Sequence, residues 1–228
     1  MRMRGAIPSP RHRLAGARPH VAATPTPPQF LWKPAQLSMW GNDVYGDCTV
    51  AEEAFAKGAT AGVFMPDVTV IQWAKHSDAI NGDTLIDVLD KMQVNGFALN
   101  GKNYDDGAPV SVDWTDADLL TNAIAQGPIK TGVAAQQLQN AVPDPPVSGW
   151  FANGFQQDQN MDHCVDVCGY GPIAWLLSQL GGTLPSNVDG TQPGYAIFTW
   201  NSIGVVDVPS FLAITCETWL RQPTTVIK

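Results

Sequence analysis

Cys48 is the residue of this chain best placed for covalent chemistry. It follows the turn-like stretch Gly41-Asn42-Asp43-Val44-Tyr45-Gly46-Asp47 and opens a helix-like run, Val50-Ala51-Glu52-Glu53-Ala54-Phe55. A thiol at a helix N-terminus is favoured as thiolate by the helix dipole and by unpaired backbone N–H groups. Asn42, six residues earlier, carries a carboxamide able to donate to an oxyanion. The plain alternative for a lone cysteine is a small buried hydrophobe. A cysteine nucleophile needs an imidazole within hydrogen-bond reach, and that imidazole is usually held by a third group. Of the four histidines, His12 and His20 lie in a Pro/Arg-rich N-terminal tail and His76 reads as a half-exposed helix residue. That leaves His163.

His163 begins the alternating run His163-Cys164-Val165-Asp166-Val167-Cys168, closed by Gly169-Tyr170-Gly171, which reads as a strand and a turn. A period of two puts His163, Val165 and Val167 on one face and Cys164, Asp166 and Cys168 on the other. A second aromatic and β-branched run, Gly194 to Trp200, delivers Asn201-Ser202 at its end. An asparagine there can accept from the imidazole and fix its tautomer.

In the order Cys, His, Asn, these segments resemble the papain-like cysteine peptidases. The resemblance implies that Cys48 is the nucleophile, His163 the base and Asn201 its orienter. Asn42, in place of the family's glutamine, forms the oxyanion hole with the backbone N–H of Cys48. Asp162, beside the histidine, tunes the ion pair, or merely caps its own backbone at the strand start. Gly127 to Val133 resembles the strand that precedes the family's His strand. Asn81-Gly82-Asp83 followed by Leu85 to Leu89 resembles the cleft segment, so Gly82 and Asp83 are expected to touch substrate. The likeness covers about residues 27 to 220. Five positions depart from it: Asn42 for the glutamine, Tyr45 for a cysteine, Thr49 for a tryptophan, Asp83 for a glycine, and Ile203 for the tryptophan that shields the Asn–His bond.

The implied fold is α+β, a helical lobe carrying the nucleophile and an antiparallel β-rich lobe carrying His and Asn. The implied activity is peptide-bond hydrolysis through a thiolate–imidazolium pair and an acyl-enzyme, with a peptide or protein as substrate. The same thiolate suits a papain-like acyltransferase or ligase, or a cell-wall peptide hydrolase. A catalytically inactive binding or virion module stays open on Thr49, Ile203 and Asp83.

Charge divides the chain. Arg2, Arg4, Arg11, Arg13, Arg18 and Lys33 stand before residue 43 with no acidic residue, whereas the remainder carries seven basic against 21 acidic side chains. Residues 1–26 are expected to be disordered or a short pro-segment, and 27–228 a single catalytic domain of two lobes. An acidic body repels phosphates, so no nucleic acid is expected. No run approaches the length of a transmembrane helix and no signal-peptide core is evident, which predicts no membrane partner and a cytoplasmic or phage-associated location. No metal or cofactor is expected, because His163 and Cys164 are strand neighbours that point to opposite faces. Cys164, Cys168 and Cys216 read as core residues. Residues 172–190 are expected to add a hairpin or short helix near the active-site wall, or a packed surface excursion.

Overall fold

Residues 163–172 form the central strand of the molecule, and their alternation is satisfied by burial on both faces. The computed structural model describes residues 2–222 and 225–228. In chain order its elements are β1 (Ala6–Ile7), α1 (Arg11–Ala15), β2 (Phe30–Leu31), α2 (Cys48–Ala61), α3 (Asp67–His76), β3 (Asp83–Thr84), α4 (Leu85–Val94), β4 (Phe97–Leu99), β5 (Lys102–Asp105), β6 (Ala108–Ser111) and α5 (Ala117–Gln126). There follow β7 (Ile129–Val133), α6 (Gln136–Ala141), β8 (Phe151–Ala152), β9 (His163–Pro172), α7 (Ile173–Leu180), β10 (Pro193–Thr199), β11 (Ser202–Asp207), α8 (Val208–Ile214), β12 (Thr215–Gln222) and β13 (Val226–Ile227).

The main sheet runs β6-β12-β7-β9-β10-β11-β8, with β2 added on β9. All its pairings are antiparallel except β11 with β8. One face buries Val165, Val167 and Ile197 beneath Leu120 and Ile124 of α5 and Phe211 of α8. The other buries Cys168, Ala196 and Phe198 beneath α2, α3 and α7. Phe55 of α2 stacks on Phe198 with ring centroids 4.3 Å apart. The α+β two-lobe expectation therefore holds, and the 172–190 excursion contains a short helix, α7, buried through Ile173, Leu176 and Leu177. Among the described residues no helix is long and apolar enough to cross a membrane. Cys48, Cys164, Cys168 and Cys216 are all unpaired.

Helix α2 is buried from Cys48 through Lys57, charged residues included. Burying ions is costly unless they are paired and hydrogen-bonded. Here Glu53 binds Lys130 of β7 at 2.7 Å and Arg221 of β12 at 2.8 Å, while Lys57 pairs with Asp106. Burial alone would raise the Glu53 carboxyl, but Arg221 and Lys130 outweigh it and hold it well below the usual carboxylate range.

The N-terminal segment departs from the expectation of disorder. Its backbone follows the body closely: β1 pairs in parallel with β3, and His20 is buried with its Nε2 3.0 Å from Asn122 Oδ1. The physical reason is complementarity, since each arginine that docks finds a carboxylate or a carbonyl on the acidic body.

Replacing Glu53 by Gln leaves buried Lys130 without its carboxylate and Arg221 with only its longer contacts to Asp106 and Asp166, and is expected to cost about 3–5 kcal/mol. Urea unfolding checks this: the midpoint should fall with an unchanged slope.

Candidate active site

Cys48 is the first residue of α2 and His163 the first of β9. The turn before α2 is tight: Gly41 has φ 102°, and a Cβ there would meet Asp47 Oδ2 at 2.5 Å. Backbone N–H groups of Cys164 and Gly5 face the Cys48 sulfur, so the thiol lies beside the start of β9. Both Cys48 and His163 have 0% exposure. Burial pushes the thiol up to about 12, with Glu52 and Asp47 adding to the rise and the two N–H groups opposing it. Burial, and then the nearby Arg4 guanidinium, lowers the imidazole to about 3. In this state Cys48 is a neutral thiol and His163 a neutral imidazole.

The imidazole is held, but not by Asn201. His163 Nε2 lies 2.8 Å from Thr199 Oγ1, and the ring stacks on Trp200 at 4.2 Å and 13°. Its buried Nδ1 has no hydrogen-bond partner among the described residues. Strand β10 ends at Thr199, paired with Ser202, and Trp200 and Asn201 form the two-residue turn between them with φ 42° and 61°. Positive φ at both central residues is the type I′ hairpin geometry, which asparagine tolerates well. Asn201 thus sits at the hairpin tip, two residues beyond the ring. Thr199 and Asn201 share strand parity, so alternation could not choose between them; the position of the turn did. Trp200 supplies the shield that Ile203 cannot, as Ile203 is buried in the helical-lobe core.

The other expected residues are found as follows. Asn42 is buried and its amide donates to Tyr45 O at 3.2 Å within its own loop. Asp162 accepts from Ala135 N–H at 2.9 Å through Oδ1 and binds Arg4 at 2.6 Å through Oδ2. Its carboxylate therefore caps the approach to α6 and holds the N-terminal segment. Asp83 points its carboxylate at Lys91, 2.5 Å away, while its backbone N–H faces the space above Cys48.

That space is a cleft, and the chain's own N-terminus fills it. Met3 N–H donates to Asn42 O at 2.9 Å, and Trp200 Nε1 donates to Met3 O at 3.1 Å. Asp83 N–H donates to Gly5 O at 3.1 Å, and Ala6 N–H to Asp162 O at 3.2 Å. An extended peptide is thus hydrogen-bonded through its backbone to both lobes. The fit is close: a Cβ on Gly5 would lie 1.8 Å from Gly46 O, and one on Gly82 would lie 2.4 Å from Gly5 O. Farther along, Arg13 pairs with Asp87 and Asp90 of α4.

By sequence the chain matches no family model and no curated protein. By structure it is similar to digestive procathepsin L 3 of Tenebrio molitor larval midgut, with a TM-score of 0.61, 13% identity, and coverage of 90% of this chain and 73% of that one. It is also similar to the proform of the Amb a 11 cysteine protease, a ragweed pollen allergen, at TM-score 0.62, 12% identity and 92% and 72% coverage. A third similar structure is the bromelain protease from Ananas comosus, at TM-score 0.60, 12% identity and 86% and 98% coverage. With helix α2 and strand β9 meeting beneath a cleft between the helical and sheet lobes, and with these neighbours, the protein has the papain-like two-lobe fold.

Proposed function

We propose that the protein is a cysteine-dependent peptide-bond hydrolase held latent by residues 2–9 of its own chain. The observation that carries this reading is the cleft itself, which binds an extended peptide through main-chain hydrogen bonds directly over a cysteine at a helix N-terminus and a histidine at a strand start. Two of the similar structures are described as a procathepsin and a proform, which supports reading the N-terminal segment as a pro-segment. The Gly5 carbonyl accepts from Asp83 N–H, which supports reading the segment as bound in the cleft without being a substrate.

When the segment leaves, water reaches the Cys48–His163 couple and the desolvation that keeps both groups neutral is relieved. Proton transfer from Cys48 Sγ to His163 Nδ1 then gives the ion pair. The Thr199 hydroxyl accepts from Nε2–H and holds the ring, and Trp200 covers that bond. The thiolate attacks a peptide carbonyl, and the Cys48 N–H, with Asn42 once its amide turns from Tyr45, receives the oxyanion. His163 protonates the leaving amine and then activates water to release the acyl group.

Gly5→Val inserts atoms where Gly46 O stands and is expected to open the cleft. Cys48 in the unaltered chain should resist iodoacetamide at pH 6, whereas in Gly5→Val it should react at least roughly tenfold faster; adding His163→Ala should return the rate to that of an ordinary thiol with a pKa near 8.5. Mass spectrometry separates Cys48 from the other three cysteines. Rapid alkylation without cleavage of any peptide would point to a binding module instead.

The imidazole gives a second readout. Because its pKa is lower with the cleft filled, His163 imposes no penalty on the filled state above about pH 6.5; the penalty grows as pH falls and is complete near 3. NMR should find His163 neutral from pH 4 to 8 in the unaltered chain and titrating nearer 6.5 in Gly5→Val.

In the opened variant, Thr199→Val removes one hydrogen bond worth ~1 kcal/mol and should lower kcat/KM about fivefold or more. Asn201→Gly keeps the left-handed turn and should leave kcat/KM unchanged. The opposite ranking would restore Asn201 as the orienter.

A further inference from the structure

Asp47 precedes Cys48 at the N-terminus of α2 and adjoins both donors assigned to the oxyanion, the backbone N–H of Cys48 and the amide of Asn42. An aspartate in that position ordinarily accepts from a backbone N–H of the first helical turn. This one does not. Its side chain makes no capping hydrogen bond and is turned back onto the Gly41-Asn42 turn, where a Cβ on Gly41 would meet its Oδ2 at 2.5 Å. The residue has 0% exposure, and both carboxyl oxygens lack a hydrogen-bond partner among the described residues. The Asn42 amide faces the carboxyl but donates to Tyr45 O instead. Burial, with Asp43 and Asp67 adding to it, pushes the carboxyl up to about 8 against the pull of its own backbone N–H and the Asn42 amide. At neutral pH Asp47 is thus an uncharged acid.

A buried carboxyl with two unpartnered oxygens is costly to keep, and a donor for it stands one side chain away. In the filled cleft the Asn42 loop is held by the segment, since Met3 N–H donates to Asn42 O. Departure of the segment releases that loop. Asparagine is one methylene shorter than glutamine, so its amide needs a fixed support if it is to meet the oxyanion in a useful direction.

We infer that Asp47 is a positioning residue: in the open cleft its carboxyl takes the Asn42 amide from Tyr45 O, accepting from one N–H and leaving the other directed at the oxyanion. A protonated carboxyl also donates, and its O–H pairs with Asn42 Oδ1 to close a two-bond ring that fixes the plane of the amide. Being neutral, such a partner orients the donor without repelling the negative charge that the donor receives. The catalytic consequence rests on the peptidase reading proposed above, whereas the contact itself rests on Asn42 and Asp47 alone.

A crystal structure of full-length Gly5→Val reads the contact, and kinetics of the same chain read its consequence. Asn42 Nδ2 is expected within hydrogen-bond distance of an Asp47 oxygen in the open cleft; an amide still on Tyr45 O, with Asp47 unpartnered, overturns the assignment. Added to Gly5→Val, Asp47→Leu has a similar branched shape but no acceptor. It is expected to lower kcat roughly tenfold with KM little changed, because a misaligned oxyanion donor is missed only in the transition state. Asp47→Asn keeps an acceptor and should recover most of that rate. Alkylation of Cys48 by iodoacetamide forms no oxyanion, so its rate at pH 6 should hardly move in either variant. In an Asn42→Ala background Asp47→Leu should cost nothing further. A loss that adds fully to that of Asn42→Ala, or that slows alkylation equally, marks Asp47 as structural and overturns the inference. An Asn42–Asp47 bond in a chain that cleaves no peptide supports the positioning and sinks the peptidase reading.

Discussion

The contact on which the site depends is the buried ion cluster that seats α2 against the sheet. Cys48 comes from a helix and His163 from a strand, and their relation is set by how that helix lies on β7, β9 and β12. Apolar packing such as Phe55 on Phe198 gives affinity between the layers but tolerates sliding. Glu53 does not tolerate it, because only one register lets its two oxygens meet Lys130 and Arg221 with all three groups dry. Arg221 also donates to Pro128 O at 2.9 Å, which ties the same cluster to the turn that feeds β7. The helix that holds the thiol is thereby pinned by charge from one turn beyond it.

The N-terminal segment uses a different physics at the same place. Its main chain replaces the hydrogen bonds that water would make to both walls, its Ala6 fills an apolar pocket, and its arginines meet Asp162, Asp87 and Asp90. In the proposed peptidase, excluding water keeps Cys48 and His163 neutral, since a thiolate and an imidazolium both need solvation or close mutual pairing. The cleft is therefore occupied and chemically quiet for one reason. Arg4 reinforces this by placing a fixed positive charge near the imidazole.

The histidine end shows how a hydroxyl can stand where a carboxamide was expected. An asparagine oxygen only accepts, so it would select one tautomer outright; a threonine hydroxyl both accepts and donates, and leaves the tautomer to the thiol side. The stacked indole of Trp200 compensates by keeping competing water away from the bond.

Local chemistry made much of this legible in the chain. A glycine turn before an alanine-rich run implies a helix opening at Cys48 and strict alternation after His163 implies a strand, whereas Gly82-Asp83 pointed to the cleft only through the family resemblance. The split of charge between tail and body allowed a tail that folds back as well as one that stays disordered, and did not reveal the docked, ordered path that residues 2–20 follow. Tertiary structure alone decided three matters. Thr199 rather than Asn201 meets the ring, because the hairpin turns one residue after Thr199 and parity is blind to where a turn begins. Trp200 shields the ring because two positive φ values fold it back. Glu217 of β12 accepts from Ser9 of the N-terminal segment because a strand distant in sequence sets it opposite Gly132, and periodicity encodes which face a side chain takes but not what stands opposite.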